Sequence, residues 1–204
     1  MGLKSNGTTI FDAGSMSAGF SGSMVFIKKL TASSSGTLSF VDGSSSVVLD
    51  NTYKEYIFTF KSMHPATDEV NFQVNFSIDS GSNYNVTKTS TAFAANVYED
   101  GSGDSLFYWG SRDLAQSTSA QYLGSAIGNG GDESASGYLH LFNPSDTTFV
   151  KHFIARSNSY HASNLTIDQY TSGYLNTTSA VDAVQFSMSS GNIDAGDVCL
   201  YGIA

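Results

Sequence analysis

From Val70 to Ile78 apolar and polar residues alternate without a break. Val70, Phe72, Val74, Phe76 and Ile78 are apolar; Asn71, Gln73, Asn75 and Ser77 are polar. Successive side chains of a strand point to opposite faces, so this run puts its five apolar residues on one face. Wound as a helix, the same residues would scatter around the cylinder. Such a strand is not stable alone and must lay its apolar face against a second layer. The same period recurs at Tyr56, Phe58 and Phe60, and at Leu38 and Phe40. It recurs again in YLHLF, with Leu139 and Leu141 facing one way and Tyr138, His140 and Phe142 the other.

Turn residues cut the rest of the chain into similar pieces. MVFIKKL from Met24, GTLSFVDG, the short VVL run (Val47–Leu49), TTFVKHFIARS, LTIDQYTSGYLN, AVDAVQFSMSS and GDVCLYGI read as strands. YNVTKTSTAFAANVY reads as a strand pair or one long bent strand. SIDSGSNY, EDGSGD and DAGD supply turns and loop tips. Arg112–Ser136 is the least strand-like stretch, with room for a short helix at DLAQ (Asp113–Gln116). Roughly ten to twelve short strands without βα alternation predict an all-β fold, an antiparallel β-sandwich of jelly-roll-like type, over residues 24–204. Residues 1–23 are rich in Gly and Ser and read as a flexible, irregular N-terminal arm. Its sizeable apolar residues, Ile10, Phe11 and Phe20, are candidate anchors for pockets on a neighbouring subunit.

Charged residues make up only 13% of the chain, about half the usual share of about 25%. The surface is therefore built from Ser, Thr, Asn, Gln and Gly, a palette that disfavours solvated helices. With a formal net charge of -9 and nine Lys and Arg in total, the chain lacks the basic footprint of a nucleic-acid binder. It also lacks the basic amphipathic stretch that would hold it to an anionic membrane. Acidity instead favours solubility and repulsion between free copies. Cys199 is the single cysteine, so no intramolecular disulfide forms, and its alternating apolar surroundings predict burial. MGLKSNGTTIFDAGS has no secretory apolar core.

Candidate chemistry is sparse. The histidines His64, His140, His152 and His161 form no chelating spacing. GNGGDE (Gly128–Glu133) lacks the Lys-Ser/Thr that follows a phosphate loop. YEDGSGDS places Glu99, Asp100 and Asp104 around two glycines, a loop whose carboxylates could hold Ca²⁺, although the spacing departs from the EF-hand pattern. Tyr84, Tyr98, Phe107, Tyr108, Trp109 and Tyr122 fall near loops or strand ends. Of these, Tyr108, Trp109 and Tyr122 are the candidate glycan contacts, because ring faces among polar neighbours suit sugars; the competing role is core filling. The expectation is a protein with no catalytic residues, cofactor or metal.

LTASSSGTLSFVDG, YKEYIFTFKSMHPA, FSIDSGSNYNVTKT, the long run from Arg112 to Tyr160 and GNIDAGDVCLYGI together resemble a family of short proteins encoded by marine tailed phages. The most specific stretches are Asn143–Phe153, in NPSDTTFVKHF, and Leu200–Ile203, in LYGI. The resemblance implies a virion structural protein on the particle surface, and the missing secretory core implies synthesis in the host cytoplasm. The resemblance does not say which part; small size, a single domain, an anionic body and a 23-residue arm favour a capsid decoration or cement protein, a homotrimer seated on the major capsid protein. A tail or head fibre protein that binds host-surface glycans is the alternative. It carries over no catalytic residue.

Overall fold

The structure is a computed structural model that describes residues 3–6, 8–12, 15–16 and 23–204. It is all-β, and every strand pairing is antiparallel. Near the N-terminus β1 (Leu3–Ser5), β2 (Thr8–Asp12) and β3 (Ser15–Met16) make a three-stranded sheet of their own. The segment expected to be irregular thus contains local pairing, and none of its described strands joins the main sheet. Phe20 lies outside the described residues. Ile10 and Phe11 stand in β2, with the Phe11 backbone paired to Leu3 and Met16; their side chains lie outside the description.

The body follows as β4 (Met24–Ser35), β5 (Thr37–Val41), β6 (Glu55–Pro65), β7 (Val70–Ser77), β8 (Lys88–Tyr98), β9 (Asp104–Tyr108), β10 (Leu114–Ser117), β11 (Gln121–Ile127), β12 (Ala135–Phe142), β13 (Lys151–His161), β14 (Leu165–Leu175), β15 (Ala183–Met188) and β16 (Ile193–Ile203). One layer runs β4-β16-β6-β12-β13-β14-β8, and both β9 and β10 pair with β8. The other runs β11-β7-β15-β5. A single pair, Ile127 with His161, joins β11 to β13 and makes the two layers one 13-stranded sheet. The path ends at β4 and β5, which only Gly36 separates in the chain. The sheet therefore returns almost onto itself as a flattened, nearly closed barrel, which leaves few strand edges exposed.

Phenylalanines fill the space between the layers. Phe58 and Phe60 of β6 meet Phe186 of β15 and Phe72 of β7, with ring centroids 5.5 and 5.0 Å apart. Phe76 of β7 meets Phe153 of β13 at 5.9 Å. All of these, with Phe40, Tyr56, Leu139 and Leu141, are at most 1% exposed. Cys199 is buried as expected.

The interior under β8, β13 and β14 has a different chemistry. Ser90, Gln121, Ser125, Ser157, Gln169 and Thr171 are buried there and paired with one another or with backbone. Gln121 accepts from Ser90 Oγ and donates to the Arg112 and Tyr122 carbonyls. Gln169 accepts from Ser125 Oγ at 2.9 Å and donates to Thr171 Oγ1 and the Tyr122 carbonyl, both at 3.0 Å. Two lysines are also fully buried. Lys88 Nζ donates to Asn75 Oδ1 (2.6 Å) and the Val86 carbonyl (2.9 Å). Lys151 Nζ donates to the carbonyls of Phe149 and Thr177. Desolvation lowers the Lys88 ammonium from its ordinary value of 10.5 to about 8.

Several expectations are corrected. Ile78 does not join the β7 core: it is 42% exposed, because Ser77 turns the chain. The Ser77 hydroxyl is buried and accepts from the amides of Asp79 and Gly81, so the strand stops there. DAGD is not a turn but a bulge inside β16, where the register with β6 shifts on both sides of Ala195 and Gly196 has φ +124°. A Cβ on Gly196 would lie 2.6 Å from the Ser62 carbonyl. DLAQ is not a helix. Leu114–Ser117 pairs with β8, and the Leu114 amide donates to Ser90 Oγ. VVL is a loop that fills the core with Val47 and Leu49, pinned where the Leu49 amide donates to Asp42. Among the described residues one short helical turn occurs, the 3-10 turn Gly110–Arg112.

Phe72→Ala is expected to lower stability by about 3–5 kcal/mol, and Ile78→Ala by less than about 1 kcal/mol, in urea unfolding. Equal losses would contradict the strand end at Ser77. Lys88 provides a second check. Its folded pKa is lowered, so between about pH 8 and 10.5 the unfolded chain binds more protons and stability rises with pH. Relative to Lys88→Met, the wild-type chain should gain up to about 3 kcal/mol between pH 7.5 and 10.5. A flat difference would mean that the ammonium is solvated.

Candidate functional site

Two surfaces gather side chains that the core does not use. The first is the outer face of β12, β13, β14, β8 and β9. Strand register lines up Tyr138, Arg156, Tyr170, Phe93 and Tyr108 as one row across these five strands. Phe93 and Tyr170 stack with centroids 4.7 Å apart and planes 4° from parallel. The Arg156 guanidinium lies 4.7 Å over Tyr170 and holds Asp168 through two bonds, Nε to Oδ1 (3.0 Å) and Nη2 to Oδ2 (2.8 Å). That pairing raises the Arg156 pKa still further.

Beside this row the sheet is hollowed into a groove of about 510 Å³, lined by Thr89, Thr91, His152, Ile154, Ser172 and Tyr174. A smaller hollow of about 190 Å³ adjoins it at Phe93 and Tyr170. The same face also exposes Leu106 (76%), Tyr108 (68%), Ile154 (49%), Val97 and Phe93, of which Ile154 and Phe93 line the hollows. Monomeric proteins scatter single apolar residues over their surface, but a contiguous apolar area with a hollow marks an interaction site.

The second surface lies at the turn between β9 and β10 and includes all three candidate glycan contacts. The Tyr108 hydroxyl donates to Asp113 Oδ2, while Asp113 Oδ1 accepts the Ala92 amide at 2.8 Å. Trp109 is anchored by its own amide on the Ala92 carbonyl, and its carbonyl accepts the Arg112 amide, which forms the 3-10 turn. That turn carries the Arg112 guanidinium 4.7 Å from the Trp109 ring, and 5.1 Å from the ring of Tyr122 on β11. Trp109 and Tyr122 are thus brought together, each half-buried against the same cation. Next to them is a cavity of about 210 Å³ lined by Ser111, Arg112, Asp113, Ser119, Ala120 and Tyr122.

Arg112 was not among the residues singled out from the sequence. One signal was available: the chain has two arginines, and this one follows its single tryptophan by three residues. The Tyr122 partnership was not visible, because it depends on how β11 packs. The Phe93–Tyr170 row was equally hidden, being set by strand register and not by any local pattern.

The remaining candidates are placed as follows. Asp100 accepts the Ser102 amide at 2.8 Å, and bonds from Ser102 hold its carboxyl below the usual range. Among the described residues no group of three or more His, Cys, Asp and Glu side chains could hold a metal ion. His64 Nδ1 lies 2.7 Å from the Glu133 carbonyl, His140 Nε2 lies 3.0 Å from Glu55, and His161 Nδ1 accepts the Ser163 amide. Among the described residues no helix is long and apolar enough to cross a membrane.

No family model matches the chain, and neither a curated protein nor a solved structure matches it.

Asp113 ties Tyr108 to β8, so its loss should loosen the turn that carries Trp109. Asp113→Ala is expected to cost about 1–3 kcal/mol by leaving the Ala92 amide unpaired, and to red-shift the emission of Trp109. An unchanged spectrum would mean that the turn is held elsewhere.

Proposed function

We propose that this protein is a non-enzymatic structural component of a tailed-phage virion, a capsid decoration or cement protein docked on the major capsid protein. The outer face of β8, β9, β13 and β14 carries this reading. Leu106, Tyr108, Phe93 and Ile154 stand exposed on it, and Ile154 and Phe93 line its hollows. A shell subunit needs such a face, because docking removes that area from water at about 25 cal/mol per Å². A stable contact needs about 800 Å² on each partner, so the face would work together with the N-terminal segment or with sister subunits of a trimer. The sequence resemblance supplies the virion context, and the net charge of -9 would keep free copies apart before assembly.

A second reading, an appendage protein that binds host-surface glycans, is favoured by one observation. Trp109 and Tyr122 lie against Arg112 beside a polar cavity that Arg112 and Tyr122 line, and Tyr108 is bonded to Asp113 of the same lining.

Copy number in intact particles separates the two. Hundreds of copies per particle are expected for decoration, and a handful at one vertex would favour the appendage. The docking face is tested by Leu106→Glu and Ile154→Glu. Both side chains are exposed, so melting should change little, by about 0.5 kcal/mol or less. Attachment to particles lacking the protein should fall at least about tenfold, the effect of removing 1.4 kcal/mol. Undiminished attachment of both variants would overturn this face as the docking surface.

A further inference from the structure

The two arginines are built alike on one side and differently on the other. Each lies over aromatic rings: Arg156 over Tyr170, Arg112 between Trp109 and Tyr122. Arg156 also holds a carboxylate in two parallel bonds, the fork geometry that guanidinium and carboxylate share. Arg112 has no carboxylate within ion-pair distance among the described residues. Its Nε donates to Ser125 Oγ (3.1 Å) and one Nη2 hydrogen to Asn71 Oδ1 (3.4 Å), both neutral acceptors. A guanidinium has five donors. The terminal edge, Nη1 and the second Nη2 hydrogen, therefore has no acceptor among the described residues.

Other groups around Arg112 are already committed. Asn71 Oδ1 also accepts the Ala126 amide, and Ser125 Oγ donates to Gln169. Asp113 is occupied by the Ala92 amide and the Tyr108 hydroxyl. These bonds and the two rings fix the guanidinium, so an arriving ligand would not have to order it. Partial burial disfavours its charge and lowers its pKa. The cavity of about 210 Å³ beside it has hydroxyls from Ser111 and Ser119 in its lining.

We propose that this cavity binds the carboxylate of an acidic sugar, a sialate or uronate, on the terminal edge of Arg112. The sugar ring would lie against Tyr122, and Ser111 and Ser119 would reach its hydroxyls. The sugar part rests on the glycan reading of Tyr108, Trp109 and Tyr122 given above; the carboxylate part rests on Arg112 itself.

Trp109 is the single tryptophan and packs on Arg112, so its fluorescence reports on the site without a label. The full chain is titrated with sialyllactose, tri-galacturonate, lactose and sodium acetate at constant ionic strength. Saturable change is expected with sialyllactose or tri-galacturonate, and at least tenfold weaker response with lactose and with acetate. Arg112→Gln should abolish the response and Arg156→Gln should leave it in place. If Arg112→Gln fails to fold, the comparison of ligands on the wild-type chain still decides. Lactose binding as tightly as sialyllactose would overturn the carboxylate site and leave the glycan reading standing. Acetate matching the acidic sugars would overturn the sugar. No saturable response to any of the four would overturn both.

Discussion

The ring of Phe186 lies 5.5 to 6.3 Å from those of Phe40, Phe58 and Phe72. Phe58 belongs to one layer; Phe40, Phe72 and Phe186 belong to the other. The single Ile127–His161 pair is all the β-ladder that links β11 to β13, so backbone hydrogen bonding holds the layers together only weakly. Aromatic burial has to do it, and each such ring removes about 150–250 Å² from water. The alternation of β5, β6, β7 and β15 follows from this need. Each strand must present large side chains inward at every second position, or the layers have nothing to close on.

Where the layers meet under β8, β13 and β14, the interior changes to Ser, Thr and Gln. Hydroxyls and amides release less free energy on burial than phenylalanine does, and an unpaired one costs about 1–3 kcal/mol. Gln121 avoids that cost by bonding to groups on β8, β11 and the 3-10 turn, and Gln169 by bonding to groups on β11 and β14. Such bonds have direction, which aromatic contacts have to a lesser degree. They fix β10, β11 and the 3-10 turn relative to β8 and β14, and in doing so they place Trp109, Arg112 and Tyr122. The polar interior thus supports the end cavity and also lies behind the outer face of β8, β13 and β14.

Legibility in the sequence followed the same division. β6, β7 and β12 were readable because one buried face imposes a period of two that no helix shares. The exception, Ile78, kept the period but lost the strand, since a hydroxyl at Ser77 offered the backbone a turn. β10 was misread for the opposite reason: DLAQ has helical composition, and its strand pairing comes from Ser90 and Thr89, more than twenty residues away. DAGD had turn composition, yet Gly196 serves a bulge that lets β16 run on past Ser62. Tyr108, Trp109 and Tyr122 could be named as a group from their types, but the cation that Trp109 and Tyr122 share could not. Arg112 matters through its neighbours in space, and a period or motif does not encode those.

A cation beside a cavity has a particular meaning in a chain this acidic. Of nine Lys and Arg, Lys88 and Lys151 are buried on neutral acceptors, Lys29 and Lys61 lie against Asp197, and Arg156 is held by Asp168. The net charge of -9 repels an approaching anion at long range, and that repulsion fades beyond about 8 Å at physiological ionic strength. Attraction at Arg112 would act only at contact, where partial desolvation strengthens it. The outcome is selectivity by shape. An anion that cannot enter the cavity meets a negative surface, and one that can meets a guanidinium already fixed in position.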